Sequence, residues 1–169
     1  FKPEAVVCDR HPDYASTHWA EGSGLPVIRV QHHQAHVAAC AAENSVEDPY
    51  LGVSWDGAGY GIDGTIWGGE FFRVEGNRHE RVAHLRPFGL PGGDAAVRQG
   101  WRSAASLIYE ALGKTQVFLE STGNAVADAR IIHMLDRGLN VVPTTSVGRL
   151  FDGVASIVGL ARENRFEGQ

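Results

Sequence analysis

Long apolar runs, basic clusters and paired cysteines are all missing from this 169-residue chain. No stretch approaches the roughly 20 consecutive apolar residues of a membrane span, and no secretory signal is visible in these residues. The expectation is therefore no membrane. The net charge of −5 comes without a run of Lys or Arg. That disfavours free binding to a long nucleic acid, although a local patch stays open. Cysteine is limited to Cys8 and Cys40, with no C-x-x-C, so there is no disulfide framework and a reducing, cytoplasmic location is expected. No internal repeat and no low-complexity linker interrupts the chain. What remains is the composition of an ordinary soluble domain, long enough to bury a sizeable core. The first residue is Phe1 rather than Met, and a charged segment follows the last apolar stretch. Both ends look cut, so a piece of a longer polypeptide is expected, with some site residues outside it.

Glycine, by contrast, is abundant at 21 residues, and many cluster between Gly52 and Gly69. Apolar runs at Ala5–Cys8 and Leu25–Val30 read as strands. Alanine-rich Gln34–Glu43 reads as a helix ending near Asn44. Strand, helix and strand at this spacing favour an α/β layer. Tyr50–Trp55 and Thr65–Val74 read as strands flanking the glycine-rich turn, and Arg81–Pro87 as a third, giving an antiparallel meander. Pro87–Gly93 reads as a loop. Asp94 then caps a helix to about Leu112 that Gly113 closes. Ala125–Arg137 is a further helix closed by Gly138. Ser146–Leu160 is the last, with Leu150, Val154, Ile157 and Val158 on one face.

Two constellations point to chemistry. In Gln31-His32-His33-Gln34-Ala35-His36, His32 and His36 stand four apart, so on a helix both imidazoles leave one face and can share an ion. A third ligand is needed, and Asp56 follows a strand that can bring it near. Spacing alone leaves a structural pair open. His33 projects elsewhere and reads as supporting the ligands or facing substrate. In Asp56-Gly57-Ala58-Gly59-Tyr60-Gly61, side-chain-free backbone can turn several N–H groups toward one anion. A strand rather than a helix follows, so it is no dinucleotide fingerprint, and no Gly-Lys-Ser/Thr makes it a Walker loop. A plain hairpin accounts for it equally well. Gly68-Gly69-Glu70 extends the pattern into the next strand, where glycine suggests close backbone approach. Asp9-Arg10-His11-Pro12-Asp13-Tyr14 lies at a strand end, where α/β proteins place ligands, or is a polar turn. Arg149 and Asp152 can pair on a helix face, as a surface ion pair, or reach a ligand at the helix N-terminus. His84 and His133 offer only core or surface readings, and the small and apolar residues around Cys40 favour its burial.

Five ordered blocks resemble the HypF family of hydrogenase maturation carbamoyltransferases, in its domain related to the TsaD family of threonylcarbamoyl-tRNA enzymes. They are Asp9-Arg10-His11-Pro12-Asp13-Tyr14-Ala15-Ser16-Thr17, Val30-Gln31-His32-His33-Gln34-Ala35-His36, Asp56-Gly57-Ala58-Gly59-Tyr60-Gly61-Ile62-Asp63-Gly64-Thr65-Ile66-Trp67-Gly68-Gly69-Glu70, Leu85-Arg86-Pro87-Phe88-Gly89-Leu90-Pro91-Gly92-Gly93-Asp94 and Thr144-Thr145-Ser146-Val147-Gly148-Arg149-Leu150-Phe151-Asp152. The resemblance implies an α/β fold forming part of an actin-like ATPase of two ribonuclease-H-like lobes. Residues 1–48 would end the first lobe. Residues 49–169 would begin the second, with a helical insertion. It implies an ATP-dependent transfer of carbamoyl from carbamoyl phosphate, through a carbamoyl-adenylate, to the C-terminal cysteine of a HypE-like partner, on the way to the cyanide ligand of nickel–iron hydrogenase. It also implies a zinc or iron(II) ion on His32, His36 and Asp56. Asp56, His33 and Arg149 would serve catalysis, and Asp9, His11, Gly57, Gly59, Gly61, Asp63, Gly68, Gly69, Glu70 and Asp152 would line the cofactor. A further family aspartate and the adenine pocket would lie C-terminal to this chain, and three accessory domains upstream. The chain alone is thus not expected to complete the reaction. Related branches act on small molecules by O-carbamoyl transfer or on tRNA. The latter typically carries a Ser-Gly-Gly turn where this chain has Ser54-Trp55-Asp56-Gly57. A non-catalytic assembly module is the reading from another class, and the intact His32, His36 and Asp56 speak against it.

Overall fold

The structure, a computed structural model, describes residues 2–113 and 125–166. It opens with β1 (Val6–Asp9), α1 (Ala15–Gly22), β2 (Val27–Val30) and α2 (His32–Glu43). β1 and β2 pair in parallel, Val6 opposite Val27 and Asp9 opposite Val30, with the crossover through α1. Helix α1 follows the polar strand end at Asp9–Tyr14 and is not among the expected elements; with no acidic residue in its first turn and a weak apolar stripe, it carries little helix signal.

Next come β3 (Tyr50–Tyr60), β4 (Ile66–Glu75), β5 (Arg78–His84), β6 (Phe88–Pro91), α3 (Asp94–Arg98), α4 (Gly100–Leu112), α5 (Ala125–Arg137), β7 (Val141–Thr144) and α6 (Val147–Ile157). The second sheet runs β3-β4-β7-β6, with β5 pairing along the rest of β4. All its pairings are antiparallel except that of β4 with β7, where Ile66 faces Thr144. Two strands escaped the sequence reading. β6 falls in the expected loop 87–93, and β7 is four residues long with Pro143 in it, so neither shows periodicity by itself. The expected helix from Asp94 to Leu112 is broken at Gln99, which leaves helical geometry (φ −112°, ψ 81°), and Gly93 rather than Asp94 stands at the first cap.

Two apolar clusters hold the layers. Val37 of α2 packs with Trp67, Phe72 and Val74 of β4, and Ala105 and Ile108 of α4 pack with Ile131 and Ile132 of α5. Helix α6 inverts its expected face. Val147, Arg149, Gly153 and Ser156 are buried, whereas Val154, Ile157 and Val158 are exposed. The reason is close helix packing: a side chain on Gly153 would come within 2.6 Å of Leu107 Cδ1 and 3.2 Å of the Ala104 nitrogen. The small face of α6 therefore meets α4, and the larger apolar residues are left outside. Cys40 is also exposed, because Val37 and Ala41 mark the buried side of α2. No helix among the described residues is long and apolar enough to cross a membrane.

Candidate metal centre

Strand β1, helix α2 and strand β3 meet where the two sheets adjoin. Gln31 starts α2: its backbone is extended, and its side-chain oxygen accepts from the Gln34 N–H at 3.0 Å. An amide oxygen thus satisfies one of the free N–H groups at the helix start. From there His32 and His36 project one turn apart. β3 supplies Asp56 from an irregularity, because its register against β4 shifts between Trp55 and Gly59 and leaves residues 56–58 outside the ladder. The bulge re-aims Asp56 toward α2.

His32 Nε2 lies 3.0 Å from Asp56 Oδ2 and 3.1 Å from His36 Nε2, and His36 Nε2 lies 4.0 Å from Asp56 Oδ2. These are the three residues the spacing and the resemblance single out, and one donor atom of each falls within 4.8 Å of the others. The protonation pattern sharpens the fit. Asp9 Oδ2 sits 2.8 Å from His32 Nδ1, which places a proton there and turns the lone pair of Nε2 toward Asp56. Asp56 Oδ1 is occupied by the Gly57 N–H at 2.6 Å, while Oδ2 is buried with no hydrogen-bond donor. Lone pairs of His32 and Asp56 therefore face one point, beside His36 Nε2. Metal–ligand bonds of about 2.1 Å would set neighbouring donors roughly 3 to 3.5 Å apart, against spacings of 3.0, 3.1 and 4.0 Å here. The donor set fits a divalent cation, and exposed His36 marks its open side.

The other expected site residues divide. His33 does not face a substrate: its side chain is completely buried, with Nε2 3.6 Å from Asp56 Oδ2. Burial is the main cause that lowers its pKa to about 4, against an attraction from Asp56 that raises it. Asp9 is not open to a cofactor at both oxygens, since one meets His32 and the other accepts the His11 N–H at 2.8 Å. His11 stacks on Tyr14 at 4.2 Å and meets Tyr60 edge-on at 5.4 Å.

The glycine block is corrected most. Residues 56–60 belong to a strand, and none of Gly57, Gly59 or Gly61 has positive φ; the tight turn is at 61–65, where Gly64 has φ +78°. The N–H groups of Gly57 and Gly61 go to Asp56 and to the Thr65 carbonyl, so neither cradles a phosphate. Gly59 lacks a side chain because one would overlap the His33 ring. Gly68 and Gly69 do permit close backbone approach, but to the Asp56 carbonyl, Ser146 and Thr145 rather than to a ligand. Asp63 accepts from Thr65 N (3.1 Å), Thr65 Oγ1 (2.7 Å) and Trp67 Nε1 (3.0 Å), which makes it the clasp of the turn. Glu70 is fully enclosed, accepting from Gly68 N, Gly69 N, Thr145 Oγ1 and Arg81 Nε. Its burial works to raise its pKa, and these hydrogen bonds outweigh that and hold it below the usual range. Arg149 and Asp152 do pair, at 2.8 Å, but inside the protein rather than on the surface, with the Arg149 side chain 5% exposed.

The comparisons can now be set beside this geometry. A family model described as the carbamoyltransferase Kae1-like domain, second subdomain, matches residues 52–169, and one described as the HypF Kae1-like domain matches residues 1–43. This chain belongs to the HypF carbamoyltransferase family. "Carbamoyltransferase HypF" of Synechocystis is 42% identical over 187 residues, covering 100% of this chain and 24% of the relative. Its namesake in Rhizobium leguminosarum is 39% identical, with 99% and 22% covered. A crystal structure of full-length HypF in the phosphate- and nucleotide-bound form superposes with a TM-score of 0.90 at 38% identity, over 99% of this chain and 22% of that one. The fold is thus the family's Kae1-like α/β fold with a mixed second sheet, and the chain spans about a quarter of the length of these curated relatives.

Two groups at the site carried no sequence signal that the reading used. Gln31 is an unusual helix cap, and that oddity just ahead of the histidines is the one clue to it. Ser146 caps α6 through the Arg149 N–H and donates to the Gly57 carbonyl at 2.6 Å, tying the bulge to α6.

Proposed function

We propose that this region is the carbamoyl-transfer centre of a cytoplasmic hydrogenase maturation enzyme. The observation that carries the reading is the convergence of His32 Nε2, His36 Nε2 and Asp56 Oδ2 on one point, with the Asp9 carboxylate holding the proton of His32 on the far nitrogen. In this reading carbamoyl phosphate and ATP give a carbamoyl-adenylate, and the carbamoyl group passes to the C-terminal cysteine thiol of a HypE-like acceptor. A zinc or iron(II) ion bound there supplies positive charge next to the oxygens on which negative charge develops. Imidazole and carboxylate suit either ion. His32, His36 and Asp56 hold the ion, Asp9 keeps His32 in the binding tautomer, and buried His33 stands behind Asp56. The thiol nucleophile belongs to the acceptor, so exposed Cys40 and buried Cys8 take no part.

We further read residues 1–48 as the end of one lobe and 49–169 as the start of another, in an actin-like architecture on ribonuclease-H-like cores. The separation into a β1–β2 unit and a five-stranded sheet supports that division, with the metal centre between them. The test replaces the matching segment of the Synechocystis relative with this chain, either unchanged or with His36→Ala. Joint loss of bound metal and of carbamoyl transfer in the variant alone is the expected result. Full transfer by the His36→Ala chimera would overturn the reading.

A further inference from the structure

Backbone groups have no tautomers, and two of them fix the amide of Gln31. Its Oε1 faces the Gln34 N–H, which can only donate, and its Nε2 faces the Tyr60 carbonyl at 3.2 Å, which can only accept. The remaining contact, 3.1 Å from Gln31 Nε2 to His33 Nδ1, is therefore an N–H donated to a ring lone pair. A neutral His33 must then carry its proton on Nε2, the atom 3.6 Å from Asp56 Oδ2. The ring has no room to rotate away, because it is fully buried against Gly59 and stands 6.2 Å from the Trp67 ring. On the opposite side, Asp9 receives the Nδ1 proton of His32 while its other oxygen is held by the His11 N–H.

We infer that two relays set the proton positions at the cation site. Gln31–His33 aims an N–H at Asp56, Asp9–His32 aims a lone pair at the ion, and Gln31 and Asp9 are positioning residues. The inference rests on the metal-centre reading and adds to it. The amide that starts α2 also ties that helix to β3 through the Tyr60 carbonyl, four residues beyond Asp56. Ligand geometry and helix start are thereby made by one side chain.

Two substitutions reverse the protons while keeping the shape. In Gln31→Glu one oxygen can still cap Gln34, but the other presents an acceptor to His33 Nδ1. That moves the His33 proton to Nδ1 and turns a lone pair on Asp56. Asp9→Asn keeps an oxygen for the His11 N–H and presents an NH2 to His32, which moves the His32 proton to Nε2, where the ion would bind. The readouts are nitrogen NMR shifts of the imidazoles in the metal-free protein and titration with Co(II) alone. The expected results are His33 protonated at Nε2 in the wild type, inverted tautomers in the variants, and Co(II) affinity lower by roughly 10- to 100-fold in each. Asp9→Asn, at a partly exposed position, keeps the test decisive should buried Gln31→Glu fail to fold. Inverted tautomers with unchanged affinity overturn the inference, as does a wild-type His33 protonated at Nδ1. A wild type with the expected tautomers but no Co(II) binding instead overturns the metal-centre reading.

Discussion

Asp56 and Glu70 lie on neighbouring strands of the same glycine-rich block, and they have opposite surroundings. Glu70 is enclosed by four donors, two of them backbone N–H groups, and needs nothing further. Asp56 receives one backbone N–H on Oδ1, while Oδ2 confronts the lone pair of His32. A carboxylate saturated with donors is a structural anchor. A carboxylate facing lone pairs is stable only with positive charge between them, whether a proton or a metal. Both are carboxylates with glycine beside them in sequence, so their hydrogen-bond partners distinguish the anchor from the candidate ligand.

The comparison can be broken by removing each charge in turn. Glu70→Gln places an NH2 among donors and leaves Arg81 without its closest carboxylate, and should cost about 3–5 kcal/mol of stability. Urea unfolding in chelator would measure it, and a loss under about 1 kcal/mol would remove Glu70 from the anchor role. The second effect is a pH dependence. His33 titrates near 6.5 in the unfolded chain and at about 4 when folded, because burial disfavours its charged form. Between those values the unfolded chain takes up a proton that the folded one refuses. Stability is thus full above about pH 6.5, falls as pH is lowered toward about 4, and changes by on the order of 3 kcal/mol. The difference between wild type and His33→Gln, followed across that window without metal, isolates this phase from the acid loss of Asp63 and Glu70, whose depressed pKa values place it lower. The smallest stability effect belongs to Asp56→Asn. In chelator it should stay within about 1 kcal/mol of wild type, or gain stability, since it removes charge from a carboxylate whose buried Oδ2 has no hydrogen-bond donor, while the amide oxygen can still accept the Gly57 N–H. Bound metal should nonetheless be lost. A large destabilisation there would make Asp56 a second anchor and erase the contrast with Glu70.

Much of the candidate metal centre's geometry was legible beforehand because it is local. His32 and His36 stand at helical spacing, and helical geometry alone brings their rings to one face. Asp56 came from its place after a strand, and its approach to the histidines depends on the bulge. The glycine block misled because an absent side chain has two causes, room for a ligand or room for the protein. Gly59 makes room for His33, and Gly68 for Ser146 and the Asp56 carbonyl. The face of α6 misled similarly. Its apolar residues obey a helical period, but Gly153 sets which side approaches α4.

The sequence by itself determined the main helices, the β3–β4 pair and the histidine pair, since these follow from short-range periodicity, capping and spacing. Tertiary structure alone decided the short strands β6 and β7, the inward turn of Arg149, the saturation of Glu70 and the roles of Asp9 and Gln31. Each of those depends on a partner distant in sequence: Thr145 lies 75 residues from Glu70, Tyr60 29 from Gln31, and His32 23 from Asp9. A hydrogen bond acts over about 3 Å, so which groups meet is fixed only once the sheets have brought them together.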